Sequence, residues 1–362
     1  MITPRHCFAS LVFITVATLV AAACGGSPTS NGGMPSTPAG IDNVLDEAQS
    51  FSGQQQVDFL LNEAKKEGGP LRLYTSYSSD SLDALVKAFE DRYGRDVASY
   101  RAASEAVSLR VHQETQAHYG AGADFVEMRG QELHQLSKEG LIRAFNGEFD
   151  KQIPDYSPDD TWTADRLNVI APCWNTDLVS HGEAPTSWQD LADPRWKGRI
   201  AIEQADTNWF QTLHGYLVEQ GMTEQQADDF FRSIVANGAV VKGHTEMQTF
   251  IAAGQYAVGA DCYTYVTESQ KAAGAHTDWR PGVSPAIIQP NGVAVMKTAA
   301  HPASAALFYR WILTDGQEIL AHSGNTAVTE ADVDHGIPLD IDGYAADAKG
   351  WSTRYDNILG SR

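Results

Sequence analysis

The sequence predicts an α/β fold, an open sheet with helices on its faces, and three observations carry that prediction. Strand-like and helix-like segments alternate at short loop spacing from residue 71 onward. A second alternating set runs over 200–268. With 362 residues of which 43% are hydrophobic, the chain beyond its first forty or so residues can bury the core of two domains or of one large two-part fold.

Each element has its own local signal. A helix over 57–67 is expected from Phe59, Leu60, Leu61 and Ala64, and Gly68-Gly69-Pro70 stops it. A strand over 71–74 follows. Over 79–93, Leu82, Leu85, Val86 and Phe89 share one helical face and Gly94 closes the segment. A strand over 97–101, a helix over 106–116, a strand over 124–128 and a helix over 131–139 continue the pattern. Between the two sets an apolar strand is expected over 166–173. Ligands of such sheets sit at the carboxyl ends of the strands, which singles out the loops 75–79, 101–105 and 129–130.

The first residues read differently. Arg5 precedes a short apolar run, 11–20, too short to span a bilayer as a mature helix. Ala21-Ala22-Ala23-Cys24 follows and looks like a bacterial lipobox, although the pattern prefers Leu where Ala21 stands. The resemblance implies residues 1–23 as a signal peptide, cleavage before Cys24 and acylation of its sulfur; a plain secretory signal is the alternative. From Gly25 to about Ile41 the chain is Gly, Ser, Pro, Thr and Asn, a composition that stays extended as a tether. Residues 24–54 are therefore the expected tether and start of the body.

Composition excludes some partners. A formal net charge of −20 disfavours a phosphate backbone, so nucleic acid is not expected. Of four cysteines, Cys7 lies in the signal and Cys24 at the proposed lipid site. Cys173 and Cys262 remain in the body, either bonded to each other in an oxidising compartment or as two buried thiols. No nucleophile elbow, HExxH, phosphate loop or zinc spacing appears, and His112 and Glu114, two apart on a helix, do not share a face. An enzyme is not expected.

The segment Pro185-Thr186-Ser187-Trp188-Gln189-Asp190-Leu191-Ala192-Asp193-Pro194-Arg195-Trp196-Lys197-Gly198-Arg199-Ile200, with Trp174-Asn175-Thr176, Lys242-Gly243-His244-Thr245 and Asp315-Gly316-Gln317, resembles the family 1 extracellular solute-binding proteins of ABC importers, in their iron(III)-type branch. The resemblance implies a periplasmic-binding fold of the second type: lobe 1 over 55–172, lobe 2 over 173–283, and a return to lobe 1 over 284–362, with the ligand between them. It also implies permease and ATPase partners, a monomer, and a site outside the cytoplasm on the periplasmic or cell-wall side. A lipoprotein that presents its ligand to a sensor or acts as an adhesin, and a secreted hydrolase, are the alternatives.

Candidate ligand residues follow from both readings. Ser76 and Tyr77 leave the first strand, at a place where iron-binding relatives carry a metal-binding side chain; the plainer reading packs the Tyr77 ring in its lobe. Tyr263 and Tyr265, two apart, resemble the family's tyrosine cluster, and phenolates suit Fe(III) as hard oxygen donors. The resemblance departs at Thr264, which separates the tyrosines, and at Arg129, which stands where an acidic ligand is expected and cannot bind a cation. Glu127 points to the opposite face of its strand from Met128. Arg101 and Arg129, with Ser104, suit a carboxylate or phosphate held bidentately, against a plainer role in surface salt bridges. Trp209 is a candidate flat wall or a core residue, and His244 and Thr245 are candidate donors at a helix start. The expected cargo is Fe(III), a ferric–anion complex or a small anionic organic solute.

Overall fold

The computed structural model describes residues 40–360 apart from 121, 152, 324 and 329–335. Cys7 and Cys24, and with them the signal, lipid-site and most of the tether expectations, lie outside the described residues.

Two helices open the described chain, α1 (Ile41–Gln49) and α2 (Gly53–Ala64). Helix α1 lies within 24–54, expected as tether and start of the body with no helix, although Ile41, Val44, Leu45 and Ala48 stand at i, i+3, i+4 and i+7; Ile41, Leu45 and Ala48 are buried and the helix packs on a late helix of the chain. Expected over 57–67, α2 instead starts at Gly53, where the glycine takes φ 53°. The alternating set then reads β1 (Leu71–Thr75), α3 (Ser79–Tyr93), β2 (Val97–Arg101), α4 (Ser104–Gln116), β3 (Phe125–Arg129) and α5 (Gly130–Lys138). The bounds of α3 match the sequence expectation because both ends carry chemistry: the Ser78 hydroxyl accepts from the Ser81 N–H, and Gly94 takes the left-handed conformation at φ 62°.

After the short β4 (Ile142–Arg143), the long strand β5 (Thr163–Asn175) crosses to the second set. There stand β6 (Ile200–Glu203), α6 (Thr207–Glu219), α7 (Glu224–Ala236), β7 (Gly238–Val241), α8 (His244–Ala252), β8 (Val258–Tyr263), α9 (Thr264–Ala272) and the short β9 (Thr277–Asp278). Strand β10 (Ile287–Met296) crosses back, followed by α10 (Pro302–Ile312), α11 (Gly316–His322), β11 (Thr326–Ala327), β12 (Ile337–Pro338), α12 (Ile341–Ala346) and α13 (Ala348–Leu359).

These strands form one 12-stranded sheet in the order β2-β1-β3-β10-β5-β8-β6-β7, with the four remaining short strands beside β5 and β10. Parallel pairs make up each outer wing, whereas the two crossing strands, β5 and β10, run antiparallel to each other in the middle. Their register sets Asn291 opposite Arg166 and Gln289 opposite Asn168. On the other side of β5, Ile170 lies opposite Tyr263. Both crossing strands slip register, β10 between Asn291 and Gly292 and β5 between Ala171 and Cys173.

Aromatic side chains fill the two wings. Phe89, Phe125, Phe308 and Trp311 pack edge to face under the first wing. In the second, Trp209 is wholly buried between Trp188 and Phe231, and Phe210 stacks on Tyr355. Tyr355 belongs to α13, which packs on α6 and α7. The chain end assigned by sequence to the first lobe thus finishes on the second wing: α12 contacts both α5 and α6, and α13 continues past them.

Candidate functional site

The ends of β1, β2 and β3, the middle of the crossing strands, one face of α9 and the segment after α11 surround a cavity of about 930 Å³. Its first-wing wall is made by loops that lead directly into helices. Ser78 caps α3, Ala103 caps α4, and Arg129 stands at the cap of α5. The N-terminal turns and the positive ends of three helix dipoles therefore border the same space, an arrangement that favours an anion.

The floor is polar because the crossing strands alternate polar residues on one face. Arg166 and Asn168 of β5 and Asn291 of β10 all line the cavity. The Arg166 guanidinium donates from Nη2 to Glu127 Oε1 at 3.0 Å and to Ser76 Oγ at 3.2 Å, and from Nη1 to Asn168 Oδ1 at 3.2 Å; its buried Nε has no hydrogen-bond partner among the described residues. Glu127 is fully buried and accepts from Thr75 Oγ1 at 2.7 Å and from the Ser76 N–H at 2.8 Å as well. It anchors the 75–79 loop and does not reach the cavity wall, in keeping with its expected orientation.

Arg129 donates its backbone N–H to Ser104 Oγ at 3.2 Å and its Nη2 to Glu105 Oε1 at 2.5 Å, and it also pairs with Glu132. Burial works against its charge, but Glu132, Tyr263 and Glu105 outweigh it, so the guanidinium is held protonated above its ordinary value. Glu105 is mostly exposed at the rim. An incoming anion can take its place on Arg129.

From the second wing come Tyr263, Tyr265 and Thr245. The Tyr263 ring is stacked between His244, at 4.0 Å between centroids, and Tyr265, at 5.8 Å. Its hydroxyl donates to Gln289 Oε1 across the sheet at 3.3 Å. Burial pushes the Tyr263 phenol well above the ordinary tyrosine value. Behind this ring, His244 Nε2 lies 3.1 Å from Asp206 Oδ2, and burial raises the Asp261 carboxyl to about 8. Burial opposes a charge on His244 too, yet the Asp206 hydrogen bond outweighs it and the imidazole is raised.

Of the residues singled out by sequence, Ser76, Ser104, Arg129, Thr245, Tyr263 and Tyr265 come together on this cavity. Tyr77 does not: its ring is fully buried and its hydroxyl donates to Asp165 Oδ2 at 2.5 Å, which corrects the metal-ligand reading in favour of a packed ring. The Arg101 Nε donates to the Tyr77 carbonyl at 2.7 Å on an exposed strand edge, so Arg101 ties the loop down from outside and does not face a ligand. Trp209 is core, not a wall. His244 sits one layer behind the wall. Thr245 is not a cap, because α8 already begins at His244 behind Gly243 with φ 93°. Cys173 and Cys262 are bonded, with Cα atoms 5.8 Å apart, and join β5 to β8 next to Tyr263.

Sequence reasoning missed Arg166, Asn168 and Asn291. The signal was present as polar residues two apart, Arg166/Asn168 and Gln289/Asn291, inside otherwise apolar strands.

The family model of bacterial extracellular solute-binding proteins matches residues 127–342. The chain belongs to that family. Among curated relatives, the Fe(3+)-binding periplasmic protein of Serratia marcescens is 26% identical over 178 residues, 46% of this chain and 51% of the relative. Iron uptake protein A1 of Synechocystis is 24% identical over 170 residues, 45% of this chain and 46% of the relative. The chain thus spans about half the length of these curated relatives. Solved structures align more completely. Iron-bound HitA from Pseudomonas aeruginosa has a TM-score of 0.65 at 18% identity, covering 80% of this chain and 99% of its own. AfuA from Actinobacillus pleuropneumoniae, with fructose-6-phosphate bound, has a TM-score of 0.66 at 21% identity, covering 81% and 99%. At these identities the structures establish the two-lobed fold of this solute-binding protein and leave its cargo to its own residues.

Proposed function

We propose that this solute-binding protein captures a small anionic organic solute between its two lobes and delivers it to the permease of an ABC importer. The carrying observation is that two arginines, Arg129 and Arg166, line the cavity while Tyr77 is withdrawn from it. Hard-metal chemistry needs several oxygen donors converging on one point. Here the first wing offers a guanidinium group and helix N-termini alongside the Asp80 and Glu105 carboxylates, and Arg166 adds a second guanidinium from the crossing strand. The structure of AfuA with a sugar phosphate is an example of an anionic cargo on the same fold.

A second reading keeps iron as cargo. Tyr263 and Tyr265 both lie on the cavity, and a structure of the iron-binding protein of Trichodesmium, at TM-score 0.65, holds iron together with citrate. A ferric–anion complex would place its anion on Arg129 and Arg166 and its metal beside the two tyrosines.

The reading extends to location and organisation. The export signal ending before Cys24 would leave a lipid-anchored, monomeric protein on the outer side of the cytoplasmic membrane, with lobe 1 built from 55–172 and the return from 284 to α12, and lobe 2 from 173–283 with α13 packed on it. The Cys24→Ser variant should leave the membrane fraction, and retention there would sink the anchor.

Thermal unfolding against phosphate, hexose phosphates, organic acids and Fe(III)-citrate tests the cargo. An anionic solute at 100 times its Kd stabilises by about 2.7 kcal/mol, about 4 °C for a body of this size. A rise with anions that survives chelator and is lost in Arg129→Ala supports the first reading. A rise only with Fe(III)-citrate that chelator abolishes favours the second.

A further inference from the structure

Behind Tyr263, three segments of the second wing bring unlike ligand groups to one point. Asp206 caps α6, His244 opens α8 and Asp261 stands on β8, so no two of them share a secondary-structure element. One donor atom from each lies within 4.8 Å of the others, and His244 Nε2 and Asp206 Oδ2 are 3.1 Å apart. Donors on a transition ion with bonds of about 2.0–2.2 Å stand about 3–3.5 Å from one another. Small side-chain rotations close the remaining gap.

Charge makes the same point. Glu203, Asp206 and Asp261 are all buried, and among the described residues His244 is the one basic side chain whose hydrogen bonds enter the group. Three buried carboxylates against at most one imidazolium leave an excess that a protein interior does not tolerate without protons or a cation. Glu203 is already held by the Ala205 and Gly243 N–H groups, at 2.5 and 2.7 Å. Asp206 and Asp261 each have a backbone donor behind them, Trp209 N–H and Glu203 N–H, and Tyr263 stacks on the imidazole. Fixed outer partners of this kind orient metal ligands.

We infer that Asp206, His244 and Asp261 form a site for one divalent first-row transition ion, distinct from the solute cavity and lying behind its aromatic wall. One imidazole and two carboxylates suit Zn(II), Co(II) or Mn(II) and give no advantage to Ca(II). The ion would fix His244, and through the ring stack the position of Tyr263. The site does not depend on which solute the cavity holds.

The full chain, stripped with chelator, is titrated with Zn(II) by calorimetry and with Co(II) by visible spectroscopy. We expect one ion per chain, a rise in Tm of about 4 °C at 100 times the Kd, and affinity at least 100-fold weaker in Asp261→Asn. Should that variant fail to fold, His244→Gln replaces it, read by loss of the nitrogen-ligated Co(II) spectrum. His276→Gln, which removes an exposed histidine paired with Asp177, should change nothing. No binding by the wild-type chain, or equal affinity in Asp261→Asn or His244→Gln, overturns the site. Affinity lost with His276→Gln would assign the ion to the surface and overturn it equally.

Discussion

Replacing Cys173 and Cys262 together by alanine removes a bond that closes a segment of 89 residues. In the chain-entropy account, a loop of that length restricts the unfolded ensemble by about 4.6 kcal/mol at 25 °C. Both sulfurs are buried in a small cluster with Met247, Ile251 and Val241, so their loss also leaves a void, and a total near 5 kcal/mol is expected. For a body of about 320 residues the unfolding entropy is about 0.7 kcal/mol/K, which converts the loss to a fall in Tm of about 7 °C. Differential scanning calorimetry measures the fall, and urea unfolding should show a larger m-value, because the freed denatured chain exposes more surface. The single variant Cys173→Ala should lose nearly as much as the pair, since either change breaks the one bond. A fall below about 2 °C, or single losses that add, would refute the claim that the bond acts by closing this loop.

Arg166→Met breaks the buried pair with Glu127, and although four other donors remain on or near that carboxylate, a loss of about 3 kcal/mol is expected, seen as a fall in Tm of about 4 °C, together with loss of any anion-induced rise. An unchanged anion response would remove Arg166 from the binding site. Trp209→Ala should cost about 3–5 kcal/mol as a core deletion and leave the affinity per folded molecule intact; selective loss of affinity with little loss of stability would restore the wall reading. Asp165 gives a pH prediction: burial, with Glu127 next, lifts its carboxyl to about 7, so its contribution is complete below about pH 4 and disappears as pH rises through about 7. Asp165→Asn should therefore flatten the fall of Tm over that window, and parallel curves for variant and wild type would show that Asp165 does not titrate there.

Much of the scaffold was legible because it is written in local chemistry. Gly94 ends α3, and the block from Pro185 to Ile200 carries a capping box between Ser187 and Asp190, with the Trp188 and Trp196 indoles donating to the Pro285 and Asp190 carbonyls. That block, the most family-specific in the chain, is framework. The same fact explains why the cargo was not legible: the motifs that identify the family lie in tight turns and core anchors, whereas the cavity is made by isolated residues on strands far apart in sequence. Tyr77 shows the limit most clearly. Its neighbours Ser76 and Ser78 line the cavity, but the side chain turns inward to Asp165, a partner 88 residues away that no local pattern announces. The α1 helix escaped notice for a different reason: its apolar residues Ile41, Val44, Leu45 and Ala48 carry helical spacing, but they follow directly on the Gly- and Pro-rich stretch and read as part of it.

The two register slips divide the crossing strands in a way that bears on ligand capture. Arg166 and Asn168 lie on the first-wing side of the slip in β5, while the Cys173–Cys262 bond spans that slip, because Cys262 pairs with Ala171 on its near side and Cys173 lies beyond it. A motion of one wing against the other would carry Arg129, at the end of β3, with one body and Tyr265, on α9, with the other, while Tyr263 pairs with Ile170 on the near side of the slip in β5. A solute touching both sets then gains contacts only when the wings are together, and that difference in contacts is the whole of its leverage on the equilibrium. Contacts that already bridge the wings favour the closed arrangement without a solute and leave that leverage unchanged. Asn208 of α6 bonds Gln131 of α5, and Gln211 of α6 bonds Asp340 ahead of α12 at 2.9 Å. Both lie outside the cavity lining, so they hold the wings without discriminating among solutes; in the proposed function, selection would fall to Arg129, Arg166 and the two tyrosines.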